Sequence, residues 1–290
     1  MNILLIGHEG YLGHGLLTYL SKKHKVIGWD KKENIFNLDA SILAKENIEL
    51  VINLSVMADR GSKPYQIDTP TENVNVMGAY HLARILKGSD ITWIQFSTRE
   101  VLGPVYGPED VFNTPAGLRP KFLVDETQPY APINFYGKSK IMAEFISESH
   151  PNSAVIRLTT GYTDFNHHGA NWVLGLIRSI VKGDPVSLTR GGEQFRDPLH
   201  TDDLGSLIEL IHQNKAFGEK YHAGGGEENL ISLKEFVLIA NPQIEINSVE
   251  GGDWGFAFNN QKANILTGWN PKKSIRESIP LIVQNVRRGD

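Results

Sequence analysis

The sequence contains no cysteine, which excludes disulfide bonds, thiolate nucleophiles and zinc–thiolate sites. It also lacks an apolar segment long enough to span a bilayer. The short apolar run at its start has no basic segment before it, which disfavours a signal peptide. Lysine and arginine form no long run, and the formal net charge of −4 argues against a basic nucleic-acid-binding face. We therefore expect a cytoplasmic protein that binds neither nucleic acid nor membrane.

Strand and helix patterns alternate along the first half of the chain. Apolar runs predict strands at residues 3–6, 26–29, 34–38, 50–54, 91–96 and 154–158, and a further strand ends near 221–226. Helical spacing predicts helices near residues 12–20, 72–86, 136–149 and 171–181, a helix capped by Asp202 or Asp203, and short helices and turns after 231. This alternation predicts a doubly wound α/β sheet of parallel strands, whose ligands bind at the carboxyl ends of the strands.

Three glycines lie between the first predicted strand and the first predicted helix. Gly7, Gly10 and Gly13 are spaced Gly-x-x-Gly-x-x-Gly. The first glycine permits a tight turn, the second lets backbone N–H groups approach a pyrophosphate, and the third lets the helix pack closely on the strand. The alternative is a glycine turn with a structural role only.

Asp30 ends the second predicted strand and follows Gly13 by 17 residues (30 − 13). An acidic residue at about this distance accepts hydrogen bonds from the adenosine ribose and repels a 2′-phosphate, so NAD is favoured over NADP. Lys31 and Lys32 follow directly, so NADP remains an alternative cofactor. The alternative for Asp30 is a turn residue.

Tyr136 and Lys140 lie at positions i and i+4 of a predicted helix and therefore share one helical face. A lysine ammonium near a phenol favours the phenolate, which lowers the pKa of the tyrosine and suits it to acid–base catalysis. The alternative is a helix start that carries a tyrosine and a lysine by chance.

Residues 103–135 form a long, proline-rich connection between Thr98 and Tyr136. A connection of this length is either functional, here as a lid over the site, or a surface insertion. Adjacent His167 and His168 could be ligands, but neighbours in sequence rarely point at one ion, so we interpret them as loop residues and predict no metal site.

Together these features resemble the extended short-chain dehydrogenase/reductase family, in its NAD-dependent nucleotide-sugar epimerase/dehydratase branch. The resemblance runs over nearly the whole chain. The matching stretches are Gly7 to Gly13, Asp30, residues 75–78, 97–103, 136–140, 196–204, 224–226, 232–233 and 268–271. The resemblance implies a parallel Rossmann sheet with a smaller C-terminal α/β substrate lobe. We expect residues 1–160 plus about 196–226 to form the NAD-binding domain, and about 161–195 and 227–290 to form the lobe.

The resemblance also implies roles for individual residues. The implied catalytic residues are Thr98, Glu100, Tyr136 and Lys140. The implied NAD-binding residues are Gly7, Gly10, Tyr11, Leu12, Gly13, Asp30, Asn37, Leu38, Leu54, Ser55, Asn75, Ser97, Tyr136 and Lys140. The implied substrate-binding residues are Thr98, Thr160 and Arg196. NAD takes a hydride from a sugar carbon, C4 in most members of the branch, and usually returns it.

Glu100 and two departures from the family pattern bear on the reaction. Dehydratases and decarboxylases of the branch often carry a glutamate at the Glu100 position, although pairing with Arg99 is an alternative role. Thr160 replaces an asparagine of the family, and Glu250 stands where an arginine often binds the diphosphate, while Arg196 remains.

Two other functions stay open: an NAD(P)H-dependent keto-sugar reductase similar to dTDP-4-dehydrorhamnose reductase, and a non-catalytic NAD-binding subunit. A homodimer through helices 72–86 and 137–149 is expected; the alternative is that these helices cover only their own sheet.

Overall fold

The computed structural model describes residues 1–58, 61, 63, 65–169 and 171–289. In chain order the strands are β1 (Asn2–Ile6), β2 (Lys25–Trp29), β3 (Leu50–Asn53), β4 (Thr92–Thr98), β5 (Val111–Thr114), β6 (Gly117–Pro120), β7 (Ser153–Leu158), β8 (Gly161–Tyr162), β9 (Val186–Thr189), β10 (Phe195–Arg196), β11 (Leu199–His200), β12 (Lys220–Ala223), β13 (Ile231–Ser232) and β14 (Ile246–Val249). The α-helices are α1 (Tyr11–Leu20), α2 (Ala40–Lys45), α3 (Thr69–Thr71), α4 (Gly78–Ile85), α5 (Phe135–Ser147), α6 (Trp172–Lys182), α7 (Thr201–Gln213), α8 (Leu233–Ala240), α9 (Gln261–Thr267) and α10 (Ile275–Arg288).

The central sheet has six parallel strands in the order β12-β7-β4-β3-β1-β2. Strands β1 and β3 are almost continuously apolar because both faces of the sheet are covered. On β1, Ile3 and Leu5 pack with helices α1 and α7, whereas Leu4 and Ile6 pack with α2 and α4 on the opposite face. The predicted doubly wound parallel sheet is confirmed. The strand order reverses between β1 and β3, and such a crevice is where open α/β sheets bind ligands.

The predicted strand at residues 34–38 is wrong. Residues Ile35–Asn37 form a 3₁₀-helix instead. Asn34 adopts a positive φ of 58°, its side chain accepts a hydrogen bond from the Phe36 N–H, and its carbonyl accepts one from the Trp29 indole. These local hydrogen bonds satisfy the backbone that a strand would have paired with a neighbour.

The predicted aspartate cap of helix α7 is also wrong. His200 is the N-cap residue, and its Nδ1 accepts a hydrogen bond from the Asp202 N–H. Asp203 is buried and accepts hydrogen bonds from the N–H groups of Lys272 and Lys273. Its carboxylate therefore anchors the C-terminal segment to α7 rather than capping the helix.

The helix predicted near residues 72–86 is composite. It starts earlier, with the short helix α3, continues as a π-helix over Glu72–Met77, and ends as α4. Single turns of π-helix often occur at functional sites. The C-terminal tail contains the expected short helices α8 and α9, but it closes with the 14-residue helix α10, which the sequence reading did not anticipate.

A second, smaller core lies beyond the carboxyl edge of the sheet. Helices α6, α8 and α10 bury residues such as Ile177, Phe236 and Ile279 against strand β9, which pairs in parallel with β14. The division of the chain into two domains stays a prediction.

The proline-rich connection at residues 103–135 contains the antiparallel hairpin of β5 and β6. The hairpin packs on this second lobe, since the Leu118 N–H donates to the Glu193 carbonyl and Val124 forms a bridge with Phe258. A lid function for this connection stays a prediction. In the part of the chain that the structure describes, no helix is both long and apolar enough to cross a membrane.

Candidate active site

The glycine turn between β1 and α1 is built as a close backbone approach. Gly7 has a φ of 87°, in the left-handed region that favours glycine. A Cβ on Gly13 would lie 2.0 Å from the Gly7 carbonyl oxygen, so the helix can approach the strand only with glycine at that position. The N-cap residue, Gly10, provides no side-chain hydrogen bond, and the first turn of α1 carries no acidic residue. The free N–H groups of this helix start suit an anion such as a pyrophosphate.

Asp30 lies at the carboxyl end of β2, directly beside the glycine turn. Its carboxylate accepts hydrogen bonds from the N–H groups of Glu9 (2.9 Å) and Lys31 (2.8 Å). The His8 Nδ1 lies 3.9 Å from Asp30 Oδ2, and the His8 ring fills the space above Gly28. Each carboxylate oxygen keeps a lone pair for a further donor, so the position fits a ribose diol.

The end of β3 contacts the same turn. A Cβ on Gly7 would lie 3.1 Å from the backbone of Leu54 and Ser55. The Ser55 hydroxyl donates to Asn53 Oδ1 at 2.6 Å. Asn75, in the π-helix, is buried and holds the chain beyond Ser55, because its side chain exchanges two hydrogen bonds with the backbone of Met57.

Asn75 also connects this side of the cleft to helix α5. Its Nδ2 donates to the Ser139 hydroxyl at 2.9 Å, and that hydroxyl donates to the Tyr136 carbonyl. One buried amide therefore ties the loop after β3 to the helix that carries Tyr136.

The end of β4 and the start of α5 meet around Asn134. This residue caps α5 by accepting a hydrogen bond from the Gly137 N–H at 2.8 Å, and its Nδ2 lies 3.4 Å from Glu100 Oε2. A Cβ on Gly137 would lie 2.6 Å from the Glu100 carbonyl, so the helix start presses directly on the chain after β4. Thr98, the last residue of β4, accepts a hydrogen bond from the Glu100 N–H. Thr98, Glu100 and Tyr136 are thus brought to one corner.

Lys140 lies one turn beyond Tyr136 on α5, and both side chains are buried. Burial lowers the pKa of the Lys140 ammonium from 10.5 to about 8, and the charge of Glu144 one turn further along opposes this shift. A lysine with this pKa remains mostly charged near neutral pH. It therefore retains the positive charge needed to stabilise a neighbouring phenolate.

A buried ion pair behind Lys140 was not anticipated from the sequence. Arg157 on β7 makes two hydrogen bonds to Glu144, at 3.0 and 2.8 Å, and both side chains are almost inaccessible to solvent. The Tyr130 hydroxyl donates to Glu144 at 2.7 Å, and the Ser97 hydroxyl donates to the same carboxylate. Ser97, which the resemblance assigns to NAD binding, therefore also attaches the end of β4 to α5.

The side of the cleft on which we expect the substrate is lined by charged groups. Arg196 makes a two-pronged ion pair with Asp253, at 2.9 and 3.0 Å. Arg99, directly after β4, lies 3.8 Å from the same carboxylate, so its ionic partner is Asp253 rather than Glu100. Thr160 accepts a hydrogen bond from the Trp172 indole at 3.0 Å. The substrate-binding roles of Arg196 and Thr160 stay predictions.

Asp197 follows Arg196 and is wholly buried. Its Oδ2 accepts a hydrogen bond from the Phe258 N–H at 2.9 Å and leaves no room for a side chain on Gly224. Burial raises the pKa of this carboxyl to about 7. These contacts give Asp197 a structural role between the sheet and the second lobe.

The remaining predicted NAD-binding residues differ in setting. Tyr11 is buried, and its hydroxyl accepts a hydrogen bond from the Thr163 N–H at 3.1 Å. Leu12 is partly buried against both cores. Leu38 is buried in the core between the sheet and helices α2 and α4. Asn37 is exposed, and its side chain donates a hydrogen bond to the Glu33 carbonyl. Their roles in NAD binding stay predictions.

The residues of the glycine turn can be tested by adding a single methyl group. Gly13→Ala places a carbon against the Gly7 carbonyl, so we expect a loss of about 1–3 kcal/mol of stability together with loss of measurable NAD binding. Gly175→Ala, in helix α6, is the matched control, because a Cβ there meets nothing within 4 Å. Calorimetric NAD titration and urea unfolding check both variants, and wild-type NAD affinity in Gly13→Ala contradicts the assignment.

The burial of Lys140 predicts a pH dependence of stability. Since the pKa is about 8 in the folded chain and near 10.5 in the unfolded chain, the unfolded chain holds the proton more tightly between these values. The free energy of unfolding of NAD-free protein should therefore rise with pH across this window, by up to about 3 kcal/mol from this group. Urea unfolding of wild type and Lys140→Met measures the effect as a difference between the two curves. Parallel curves contradict it.

Comparison with known proteins identifies the family. Residues 3–224 match the NAD dependent epimerase/dehydratase family. UDP-glucuronic acid decarboxylase 3 of Arabidopsis thaliana is 24% identical over 317 residues, which cover 99% of this chain and 89% of that protein. The dTDP-glucose 4,6-dehydratase of Bacillus anthracis, solved with NAD, has a TM-score of 0.81 at 21% identity and covers 100% of this chain and 97% of its own. The UDP-glucuronic acid 4-epimerase of Bacillus cereus, also solved with NAD, has a TM-score of 0.81 at 19% identity and covers 99% of each chain. The protein is therefore an enzyme of the NAD dependent epimerase/dehydratase family, with NAD as its cofactor.

Proposed function

We propose that the protein is a nucleotide-sugar epimerase or dehydratase that works through a 4-keto sugar. The observation that supports this proposal is the corner where the end of β4 lies against the start of α5. Thr98 ends β4 and Glu100 follows it, and Asn134 links Glu100 to the start of the helix that carries Tyr136 and Lys140. Similar relatives are named as a decarboxylase, a dehydratase and an epimerase of nucleotide sugars, and oxidation of a sugar hydroxyl to a ketone would serve all three reactions.

The residues of the corner divide the proton chemistry between them. Bound NAD supplies the acceptor, and later the donor, of the hydride at the reacting carbon. Tyr136 takes the proton of the sugar hydroxyl and returns it when the ketone is reduced. Lys140 keeps a positive charge beside the phenolate. Thr98 donates its hydroxyl proton in a hydrogen bond to the reacting sugar oxygen.

Glu100 gives the corner a second acid–base group. Once the ketone has formed, the hydrogen on the neighbouring carbon is acidic, and a carboxylate in reach can remove it. In a dehydratase the same carboxyl returns the proton to the leaving hydroxyl, so that water is lost. The hydrogen bond from Asn134 fixes Glu100 next to the helix start that carries Tyr136, which supports this role.

The acid–base assignment is tested with Tyr136→Phe and Glu100→Gln. We expect Tyr136→Phe to keep NAD binding and to lower kcat by about 10²–10⁴, the usual contribution of one acid–base group. Glu100→Gln should still form the 4-keto sugar, but the reaction should stop before loss of water or before inversion of the carbon next to the ketone. Product analysis by mass spectrometry with UDP- and dTDP-sugars checks both variants.

Tyr65→Phe is the control, because that side chain is exposed. A fully active Tyr136→Phe enzyme would refute the mechanism. Consumption of NADH or NADPH in equal amount with a keto-sugar would favour the reductase reading instead.

We also propose that the enzyme is a homodimer through α4, the adjoining π-helix and α5. Met77, Tyr80, Met142 and Phe145 are large apolar residues that are about half exposed on these neighbouring helices. Apolar patches on adjacent helices are typical of subunit interfaces. A second copy of the chain would cover them without using the cleft.

A charge placed on this surface tests the dimer. Met142→Glu combined with Phe145→Glu should convert the dimer to a folded monomer, because burying these carboxylates in the interface would be costly. Ile265→Glu, at an exposed apolar residue on α9, should leave the dimer intact. Sedimentation velocity measures the outcome, and a monomeric wild type contradicts the proposal.

A further inference from the structure

Strands β9 and β14 end side by side at the rim of the cleft. They pair in parallel, with Thr189 opposite Val249. The residues that directly follow the two strands are therefore Arg190 and Glu250. Each is followed by two glycines with positive φ, at 191–192 and at 251–252. The pairing therefore brings two charged residues of opposite sign to corresponding positions at one edge.

Arg190 is held in an unusual conformation. Its backbone has a φ of 49°, a region that an arginine rarely adopts. Its guanidinium lies 3.6 Å from the centre of the Trp254 ring, and its Nε donates to the Gly252 carbonyl at 3.3 Å. These contacts fix the plane of the guanidinium but use only one of its nitrogens.

The terminal nitrogens of Arg190 make no hydrogen bond or ion pair with any residue that the structure describes. Glu250 is exposed and also lacks an ion pair in the described part of the chain. The fixed guanidinium thus presents free donors, in the planar arrangement that suits a phosphate group.

The segment that holds Arg190 also holds the charged groups of the substrate side. Asp253, between Gly252 and Trp254, pairs with Arg196 and lies 3.8 Å from Arg99. Three guanidinium groups therefore gather on three consecutive residues that carry a single carboxylate. Even with the exposed Glu250 counted beside Asp253, three cations face two carboxylates, and this excess of positive charge favours an anionic ligand.

We propose that Arg190 binds a phosphate of the substrate's diphosphate, together with Arg196. This inference rests on the proposed function, since it assigns a binding residue to the nucleoside-diphosphate part of that substrate. It also explains how a chain with Glu250 directly after β14 keeps a second cation at the rim, because the cation comes from the residue directly after the neighbouring strand β9.

The test is equilibrium binding of UDP and dTDP to NAD-saturated protein, measured by calorimetry without turnover. Arg190→Gly suits the positive φ and should fold normally. We expect it to weaken the binding of UDP or dTDP by at least about tenfold, the loss typical of a hydrogen bond to a charged group. Binding of uridine and thymidine, which lack phosphate, should not change. Arg190→Lys should restore part of the affinity.

Lys215→Gly is the matched control, because Lys215 is a cationic residue with a φ of 51° at the end of helix α7. It should bind all four ligands as the wild type does. Unchanged nucleotide affinity in Arg190→Gly, or an equal loss for the nucleosides, overturns the inference. Wild-type protein that binds the nucleotides no more tightly than the nucleosides also overturns it. Because these readouts require no catalysis, a failure of the Tyr136 mechanism is seen separately.

Discussion

The buried ion pair between Glu144 and Arg157 holds the corner of Thr98, Tyr136 and Lys140 together. Removing two charges from water is costly, and the cost is offset only when every charged atom is paired at close range. Here the carboxylate receives the guanidinium, the Tyr130 hydroxyl and the Ser97 hydroxyl. Because Arg157 belongs to β7 and Ser97 to β4, helix α5 is fixed to two central strands. This attachment also fixes the positions of Lys140 and Tyr136, which lie one and two turns before Glu144 on the helix.

The two sides of the cleft depend on different kinds of interaction. The side on which we expect NAD depends on close backbone contact, in which Gly13 approaches the Gly7 carbonyl because Gly13 has no side chain. The side on which we expect the substrate depends on partly exposed charges, where Arg196 and Arg99 share Asp253.

The sequence predicted the central sheet well, because strands buried on both faces are continuous apolar runs that periodicity detects. It failed at residues 34–38, where the Asn34 side chain replaces strand pairing with local hydrogen bonds. It also missed the His200 cap, since an aspartate is the more common choice. Glu144 lies on the same helical face as Tyr136 and Lys140, but its arginine partner is distant in sequence. The position of Arg190 beside β14 depends on a strand pairing that no local pattern reveals.

The central claim is that the phenol of Tyr136 and the ammonium of Lys140 meet the reacting end of NAD at the corner with Thr98. A crystal structure of the protein with NAD and a UDP- or dTDP-sugar tests it most directly. The account predicts that Lys140 contacts the nicotinamide ribose and that the Tyr136 hydroxyl and Thr98 both contact one sugar oxygen. A nicotinamide ring bound away from this corner, or a Tyr136 hydroxyl with no space for a sugar beside it, would contradict the account.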